Sequence, residues 1–456
     1  MWYLRSVWRG DFEKVNSRLH QELGPVVRIA PNEYSLDDVN AIKVIYGHGS
    51  QFIKAPWYYA GGHPDPSRYD IFTDRDIKRH AETRRRVASL YSMTSLVRME
   101  QQVDDCAHRM ITRFEEFAQT KTTINLQEWC QYWAFDTISL ITVAKRFGFL
   151  DSGSDQMGLI RAINIYLIHN ANVGIYSEWH PIVSYFEYLL GVPRIEYIFD
   201  FCQHQIDERS DAIKTATGDN DGDGDFLGKL LNMHLQAPDK FTMYHILMTC
   251  AANIGAGSDT TSITMTAIMY YLMQNPEMYK KASTLRAEVD EKRSGKASPN
   301  NIISFSEAQS MPYLQACIKE GLRMHPATGL PLARVVPKGG ANICDRYFPQ
   351  GAIVGINTWV AHRNTEVFGG DADSYRPERW LEDPERASRM EKYLIAFGAG
   401  ARTCIGKNIS LLEISKLVPE LVQRFDIEIA DHSQELKTEN VWFVKQKNLR
   451  VNISLR

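Results

Sequence analysis

The residues of this chain with the clearest chemistry lie between 397 and 406, in the run Phe-Gly-Ala-Gly-Ala-Arg-Thr-Cys-Ile-Gly. Cys404 is a potential metal ligand, because a thiolate binds soft metals well. Apolar residues recur three or four positions apart after Gly406, which predicts a helix starting just behind the cysteine. Free amides and the helix dipole would favour the thiolate there. Arg402 could donate to a carboxylate of the same ligand. The run therefore predicts a metal or cofactor site.

The long apolar segment from Ile246 to Gln274 must help to position that site. Asp259 is its only formal charge, and apolar residues surround it on all sides. Such a helix is buried in a core or in a membrane, and a lone carboxylate facing lipid would cost at least ~2.5 kcal/mol. We therefore expect a central core helix. Gly257 would let it approach a flat cofactor, and Asp259 with Thr260 could deliver protons.

Two further helices carry paired polar residues. In the predicted helix Ile77–Val97, His80 and Arg84 lie one turn apart on the same face, a pattern that also fits a solvated basic face. A second helix is predicted from Pro312 to His325, with Glu320 and Arg323 on one face. An isolated pair of this kind is worth only about a few tenths of a kcal/mol.

The rest of the chain has an ordinary globular composition. It has 456 residues and a net charge of -3, which gives no reason to expect a nucleic-acid partner. Length alone suggests about three domains. The candidate site residues span most of the chain, so we expect a single domain over residues 1–456. The seven cysteines include no Cys-x-x-Cys pair, which predicts reduced thiols in a cytosolic environment. The N-terminus has no apolar run long enough for a membrane anchor.

The spacing Phe-x-x-Gly-x-Arg-x-Cys-x-Gly resembles the haem-binding signature of the cytochrome P-450 family, in which the cysteine is the axial iron ligand. Ala256-Gly-Ser-Asp-Thr-Thr261 resembles the oxygen-activation motif of the same family, and Glu320 with Arg323 matches its Glu-x-x-Arg motif. The motifs occur in the family's order between His80 and Gly406. The chain is similar to filamentous-fungal members of the pisatin demethylase-like group.

This resemblance implies a mainly α cytochrome P-450 fold, with a large helical domain and a smaller β-rich region around one buried haem b. It implies that Cys404 is the metal ligand and that Asp259 and Thr260 are catalytic residues managing protons. The residues that it implies for cofactor binding are His80, Arg84, Arg334, Phe397 and Arg402. Arg379, in the segment Pro377–Trp380, would join Glu320 and Arg323 in a buried structural triad.

The implied function is a haem-thiolate monooxygenase. It would insert one oxygen atom from dioxygen into a small, largely apolar organic substrate by hydroxylation, epoxidation or O-demethylation, in fungal secondary metabolism. Electrons would come from NADPH through a separate NADPH-cytochrome P-450 reductase. The resemblance implies a monomer on the cytosolic face of the endoplasmic reticulum, with peripheral membrane contact. Two alternatives stay open: a haem-thiolate isomerase or dehydratase that does not use dioxygen, and a non-catalytic haem binder or sensor.

Strands are expected in three places. Leu330–Arg334 should form a strand near the cofactor, and Ile343–His362 should form hairpin strands. Asn440–Val444 should form a β-turn whose tip enters the substrate cavity.

Overall fold

The computed structural model describes residues 2–63, 65, 68–192, 196–215, 224–274, 276–294, 302–433 and 435–456. Most of the Gly/Asp-rich stretch 217–225, for which the sequence predicts a solvated linker and not a calcium loop, lies outside these ranges. The predicted mainly α fold is confirmed by the described residues.

The α-helices of the described ranges are α1 (Trp2–Trp8), α2 (Phe12–Leu23), α3 (Val39–Tyr46), α4 (Ile77–Val87), α5 (Met93–Val97), α6 (Glu100–Thr120), α7 (Leu126–Val143), α8 (Phe149–Ser152), α9 (Leu159–Val173), α10 (His180–Leu189), α11 (Glu196–Thr215), α12 (Phe226–Gln236), α13 (Met243–Met273), α14 (Pro276–Arg293), α15 (Phe305–Gln309), α16 (Pro312–Met324), α17 (Thr358–Ala361), α18 (Thr365–Phe368), α19 (Pro384–Tyr393) and α20 (Lys407–Arg424). Short 3-10 helices connect several of them.

Helix α13 is the central element of the fold. It has 31 residues with apolar side chains on all of its faces, and it packs against α7, α11, α16 and α20. It begins three residues before the predicted Ile246, because Thr242 and His245 form a capping box at its N-terminus. The main hydrophobic core surrounds this helix. Across the described ranges, no helix is both long enough and apolar enough to span a membrane.

The strands are β1 (Val26–Ala30), β2 (Glu33–Leu36), β3 (Ile53–Lys54), β4 (Ile124–Asn125), β5 (Arg334–Val335), β6 (Ala341–Ile343), β7 (Arg346–Phe348), β8 (Ile353–Ile356), β9 (Phe425–Ile429), β10 (Lys437–Val441), β11 (Phe443–Lys447) and β12 (Arg450–Leu455). One sheet has the order β1-β2-β8-β5-β3, in which only β2 and β8 are parallel. A second sheet has the order β4-β12-β9, and β6-β7 and β10-β11 are hairpins. The hairpin β10-β11 turns at Trp442, as predicted for Asn440–Val444.

Three predicted elements were wrong in extent. The helix expected over Ile77–Val97 is divided into α4, a 3-10 turn and α5, because Ser92 is extended and its hydroxyl caps α5. The strand expected over Leu330–Arg334 starts only at Arg334, because Pro331 has no amide hydrogen to donate and Ala333 N bonds locally to Pro331 O at 2.8 Å. The segment Ile343–His362 contains strands but ends in helix α17, where the Asn357 side chain accepts from Trp359 N at 3.0 Å.

Candidate active site

A cavity of about 1200 Å³ lies between α13 and the loop that carries Cys404. The predicted site residues on its wall are His80, Arg84, Thr260, Arg334, Phe397, Arg402 and Cys404. The tip of the β10-β11 hairpin, Trp442 and Phe443, also lines it. Of the predicted site residues, only Asp259 is missing from the wall.

The loop before α20 turns the Cys404 side chain into the cavity. Cys404 N donates to Phe397 O at 2.8 Å, which closes the loop. Gly400 has φ +61°, and a Cβ there would lie 1.7 Å from Tyr46 O, so a side chain would collide with the backbone behind the loop. Helix α20 begins at Lys407, as predicted. Cys404 lies deep in the protein, yet it is exposed to the cavity.

The expectation that this loop alone favours the thiolate was wrong. Burial raises the pKa of Cys404, and the amides of Gly406 and Lys407 together with the charge of Arg84 offset that rise only partly. A bound cation would stabilise the thiolate, because thiol ligands bind metals in the deprotonated form. The environment of Cys404 therefore suits a metal ligand better than a free nucleophile.

Positive charge is concentrated at one end of the cavity. Lys54, which sequence reasoning missed, pairs directly with Arg334 across the antiparallel strands β3 and β5, and both side chains line the cavity. Like charges in such a pair repel each other. Burial lowers the pKa of Lys54 well below its ordinary value, and Arg334 and Arg402 lower it further. The cross-strand pairing that brings Lys54 here is not visible in the sequence.

The other basic side chains of this cluster are also partly desolvated. Burial, followed by the charge of Arg334, lowers the pKa of Arg402 to about 10. Burial lowers the pKa of His80 to about 3, with Arg402 and Lys54 adding to the effect, so His80 is a neutral hydrogen-bonding group beside the cations. Burial lowers the pKa of Arg84 as well. The cluster therefore has a local excess of positive charge that a bound anion would neutralise.

Two aspartates near this cluster are already engaged. Asp74 is paired with Arg79 at 2.7 Å. Asp70 accepts from the backbone amides of Phe72 and Thr73 at 2.6 and 2.9 Å. The cation cluster thus fits a ligand that carries two carboxylates, such as the two propionates of haem, and the open Cys404 thiol fits its iron.

Asp259 and Thr260 are neighbours in the middle of α13, but only the Thr260 side chain faces the cavity. The Thr260 hydroxyl donates to Ala256 O at 2.9 Å, and its side chain lines the cavity. The Asp259 side chain is buried, with its Oδ2 2.7 Å from Lys445 Nζ and its Oδ1 accepting from Gln131 Nε2. Gly257 lines the cavity, but a Cβ there would lie 2.8 Å from Ile138 Cγ1, so close packing on α7 also requires this glycine.

The predicted triad is assembled between α16 and the segment Pro377–Trp380. The Glu320 carboxylate accepts from Arg323 Nε and Nη2 at 2.9 and 2.8 Å and from Arg379 Nε at 3.0 Å. All three side chains are fully buried. Trp380 Nε1 adds a further donor at 2.9 Å. A buried, fully hydrogen-bonded triad of this kind fixes α16 to the segment ahead of the cysteine loop.

Comparison with known proteins agrees with this arrangement. The cytochrome P-450 family profile matches residues 1–453. The chain belongs to the cytochrome P-450 family. It is 38% identical over 451 residues to pisatin demethylase from Fusarium vanettenii, covering 98% of this chain and 86% of that protein. It is 34% identical over 463 residues to the cytochrome P-450 monooxygenase cicH from Emericella nidulans, covering 99% of this chain and 90% of the relative.

Membership of this family confirms the predicted class. The chain is a cytochrome P-450 monooxygenase with haem b as its cofactor, and its electrons come from NADPH through a reductase. Its substrate is a small organic molecule. Similarity to named fungal monooxygenases agrees with the predicted place in secondary metabolism.

Proposed function

We propose that Cys404 is the axial iron ligand of this cytochrome P-450 and that Lys54, His80, Arg84, Arg334 and Arg402 hold the haem propionates. The open sulfur of Cys404 and the clustered cations on one cavity wall support this assignment. Phe397 lines the same cavity and would contact the ring. The buried Glu320 triad would keep the cysteine loop in place behind the haem.

Haem, when bound, supplies the binding and reductive activation of dioxygen. In our proposal, Thr260 and Asp259 manage protons for that chemistry. The Thr260 hydroxyl lies on the cavity wall and can hold an ordered water. Asp259 is the adjacent acid, and it can exchange protons with the cavity only if its side chain leaves its buried position. Proton delivery by a positioned side chain contributes about 10²–10⁴-fold in rate.

The substrate that we propose is small and largely apolar, and the reaction is hydroxylation, epoxidation or O-demethylation. The observation that carries this proposal is that the cavity holding Cys404 and Thr260 is otherwise lined mainly by apolar side chains. These include Ile163, Leu167, Phe199, Leu247, Met248, Trp442 and Phe443. Similarity to a protein named pisatin demethylase favours O-demethylation.

The test is turnover of 7-methoxycoumarin by the haem-loaded protein with NADPH and NADPH-cytochrome P-450 reductase. O-demethylation consumes one dioxygen, one NADPH and one proton, and it yields 7-hydroxycoumarin, formaldehyde, water and NADP+. We expect fluorescence of the phenol and formaldehyde in equal amounts, both dependent on dioxygen. A panel of apolar aromatic compounds then defines the substrate range. Conversion that continues without dioxygen would refute the proposed oxidative reaction, and no conversion of any compound would refute the proposed substrate class.

We further propose that the enzyme acts as a monomer at the cytosolic face of the endoplasmic reticulum. Exposed apolar side chains in and around α10 support peripheral membrane contact, and they are Trp179, Ile182, Tyr185, Phe186, Tyr188, Leu189 and Leu190. Lys407, beside the cysteine loop, would lie on the face that binds the reductase. Phe186→Asp should reduce co-sedimentation with lipid vesicles, whereas Tyr347→Asp, at another exposed site, should leave it unchanged.

A further inference from the structure

A polar cluster interrupts the apolar lining of the cavity where α9 and α10 form its wall. His169 Nδ1 lies 2.8 Å from Glu187 Oε1, and His169 Nε2 lies 2.9 Å from His180 Nδ1. His180 Nε2 lies 3.1 Å from Gly62 O. All four residues line the cavity. The three side chains therefore form a chain of hydrogen bonds that runs from the Gly62 backbone to the Glu187 carboxyl group.

The number of hydrogens in this chain of bonds fixes its charge. A carbonyl oxygen only accepts, so His180 Nε2 carries the hydrogen of the bond to Gly62 O. Each of the other two bonds also needs one hydrogen, which places three hydrogens on two imidazoles and one carboxyl group. Two neutral imidazoles and a carboxylate hold only two hydrogens. The third hydrogen balances the carboxylate, so the three side chains together carry no net charge wherever that hydrogen lies.

Glu187 Oε2 is the open end of this chain of bonds. Because the bond to His169 uses Oε1, Oε2 carries no hydrogen and acts only as an acceptor. Among the described residues, no donor bonds to Oε2, and the Glu187 side chain is 27% exposed. A substrate that fills the cavity displaces water from this oxygen. An acceptor left unpaired in an apolar site costs free energy, so the cavity favours a substrate that brings a donor.

The neutral charge of the cluster decides which donor fits. An ammonium group would leave water for an apolar cavity in which this cluster offers no net counter-charge, and burying an ion in this way is costly. A carboxylate has no hydrogen to donate and would meet another acceptor at Oε2. A hydroxyl group supplies one donor and adds no charge. The cluster therefore fits a phenol or an alcohol.

We propose that Glu187, held in place by His169 and His180, binds a hydroxyl group of the substrate and thereby determines specificity. The substrate class is then a neutral, largely apolar molecule that carries a phenol or alcohol hydroxyl in addition to the carbon that is oxidised. This inference rests on the proposed function for the statement that this cavity holds the substrate. It assigns recognition of the substrate to α9 and α10, whereas the proposed proton delivery depends on α13.

Binding of matched compounds to the haem-loaded protein tests this inference without turnover. 4-Hydroxymethyl-7-methoxycoumarin and 7-methoxy-4-methylcoumarin differ only in one hydroxyl group, as do 4-hydroxybiphenyl and biphenyl. An apolar cavity without a polar contact favours the member that lacks the hydroxyl group. We expect equilibrium dialysis to show the opposite order, with the hydroxylated member of at least one pair binding at least about tenfold more tightly. The cationic 4-aminomethyl-7-methoxycoumarin and the anionic 7-methoxycoumarin-4-acetate should both bind more weakly than the 4-hydroxymethyl compound.

Variants of Glu187 identify the residue that is responsible. In Glu187→Leu and in Glu187→Ala, the preference for the hydroxylated compound should disappear, whereas the affinity for its partner without the hydroxyl group should stay as in the wild type. His169→Phe should also reduce the preference, because Glu187 Oε1 loses its partner and the carboxyl group is no longer held. Glu178→Leu is the matched control and should keep the preference of the wild type, because Glu178 is an exposed carboxylate ahead of α10 that does not line the cavity.

Each result supports or overturns the inference. It is wrong if the compound without the hydroxyl group binds the wild type as tightly as its hydroxylated partner, or more tightly, in both pairs. It is also wrong if the ammonium compound binds most tightly. If Glu187→Leu and Glu187→Ala weaken both members of a pair equally, or leave the preference unchanged, Glu187 does not bind the hydroxyl group. Where a variant does not fold, the order of the two members of each pair in the wild type decides whether a hydroxyl group is recognised.

Turnover separates this inference from the proposed function. If 4-hydroxymethyl-7-methoxycoumarin binds with the expected preference but is not converted with NADPH and the reductase, the proposed reaction fails and the inference stands. If 7-methoxy-4-methylcoumarin is demethylated but no hydroxyl preference is found, the inference fails and the proposed function stands.

Discussion

Replacing Glu320 by alanine should destabilise the protein strongly, because its carboxylate accepts five hydrogen bonds in a fully buried site. The donors are Arg323 Nε and Nη2, Arg379 Nε, Trp380 Nε1 and Arg376 N, at 2.9, 2.8, 3.0, 2.9 and 2.8 Å. The substitution leaves two guanidinium groups without this carboxylate. The free-energy cost depends on which hydrogen-bond and charge partners these two groups keep.

The two arginines are not equally affected by the loss of Glu320. Arg379 still pairs with Asp371 Oδ1 at 3.0 Å, so its charge remains balanced. Arg323 keeps only neutral partners among the described residues, namely His362 O, Ala372 O and Ser374 O at 2.8, 2.6 and 3.0 Å, and the Met324 sulfur at 2.8 Å. One buried charge is therefore uncompensated, which costs about 3–5 kcal/mol. At ~2.1 cal/mol/K per residue, a chain of this length unfolds with an entropy of about 1 kcal/mol/K, so the midpoint should fall by ~3–5 °C.

Calorimetry on samples of equal haem content measures this shift. Glu382→Ala is the control, because Glu382 pairs with Arg376 at the surface and is 50% exposed. Its loss should cost no more than about 1 kcal/mol. The reasoning is refuted if Glu320→Ala and Glu382→Ala unfold at the same temperature. A large decrease in the unfolding temperature of Glu382→Ala would also contradict the reasoning, since the free-energy cost of removing a carboxylate would then not depend on its burial.

Four further predictions concern the site. Cys404→Ala should remove the red-shifted absorption of the reduced carbon-monoxide complex, and retention of that absorption would exclude Cys404 as the ligand. Lys54→Met should lower haem occupancy, whereas Arg85→Met, an exposed neighbour of Arg84, should not; equal occupancy would remove Lys54 from the site. Thr260→Ala should keep haem binding but shift NADPH consumption from product to hydrogen peroxide, and unchanged coupling would exclude Thr260 from proton delivery. His362 is fully buried, and burial lowers its pKa from 6.5 to about 3. Between these two pH values the unfolded chain binds more protons than the folded chain, so the free energy of unfolding falls as the pH falls. This linkage lowers the free energy of unfolding by about 2 kcal/mol between pH 7 and pH 5. Urea unfolding of His362→Gln at these two pH values should show a smaller decrease than that of the wild type.

The sequence predicted the features that depend on local pattern or on a complete motif. Helix α13 was predicted because its apolar residues surround one carboxylate, and α16 because prolines mark both ends. The loop of Cys404 followed from its spacing, and its hydrogen bond to Phe397 O agrees with the expected turn. Each of these signals lies within about thirty residues of the chain.

Distant contacts made by residues outside the family motifs were not predicted. Lys54 meets Arg334 through a strand pairing between residues far apart in sequence. Lys445 meets Asp259 because β11 packs against α13, and neither Lys54 nor Lys445 has a local pattern that marks it. The direction of the Cys404 pKa shift was missed because burial depends on the whole fold, while the favourable amides are local. The haem-ligand and proton-delivery assignments stay predictions, as does the single domain.

The wide separation of the site residues along the chain also governs how the enzyme is made. Lys54 leaves the ribosome first and Cys404 follows 350 residues later, while the loop of Cys404 closes against Tyr46 O. At ~5–20 residues/s, synthesis of that interval takes about 20–70 s. Throughout this time the clustered cations have no cavity in which to meet. Haem capture through both the cations and the thiol must therefore be a late event, close to chain release. A nascent chain stalled before residue 404 should be able to fold local helices but should not retain haem through this site.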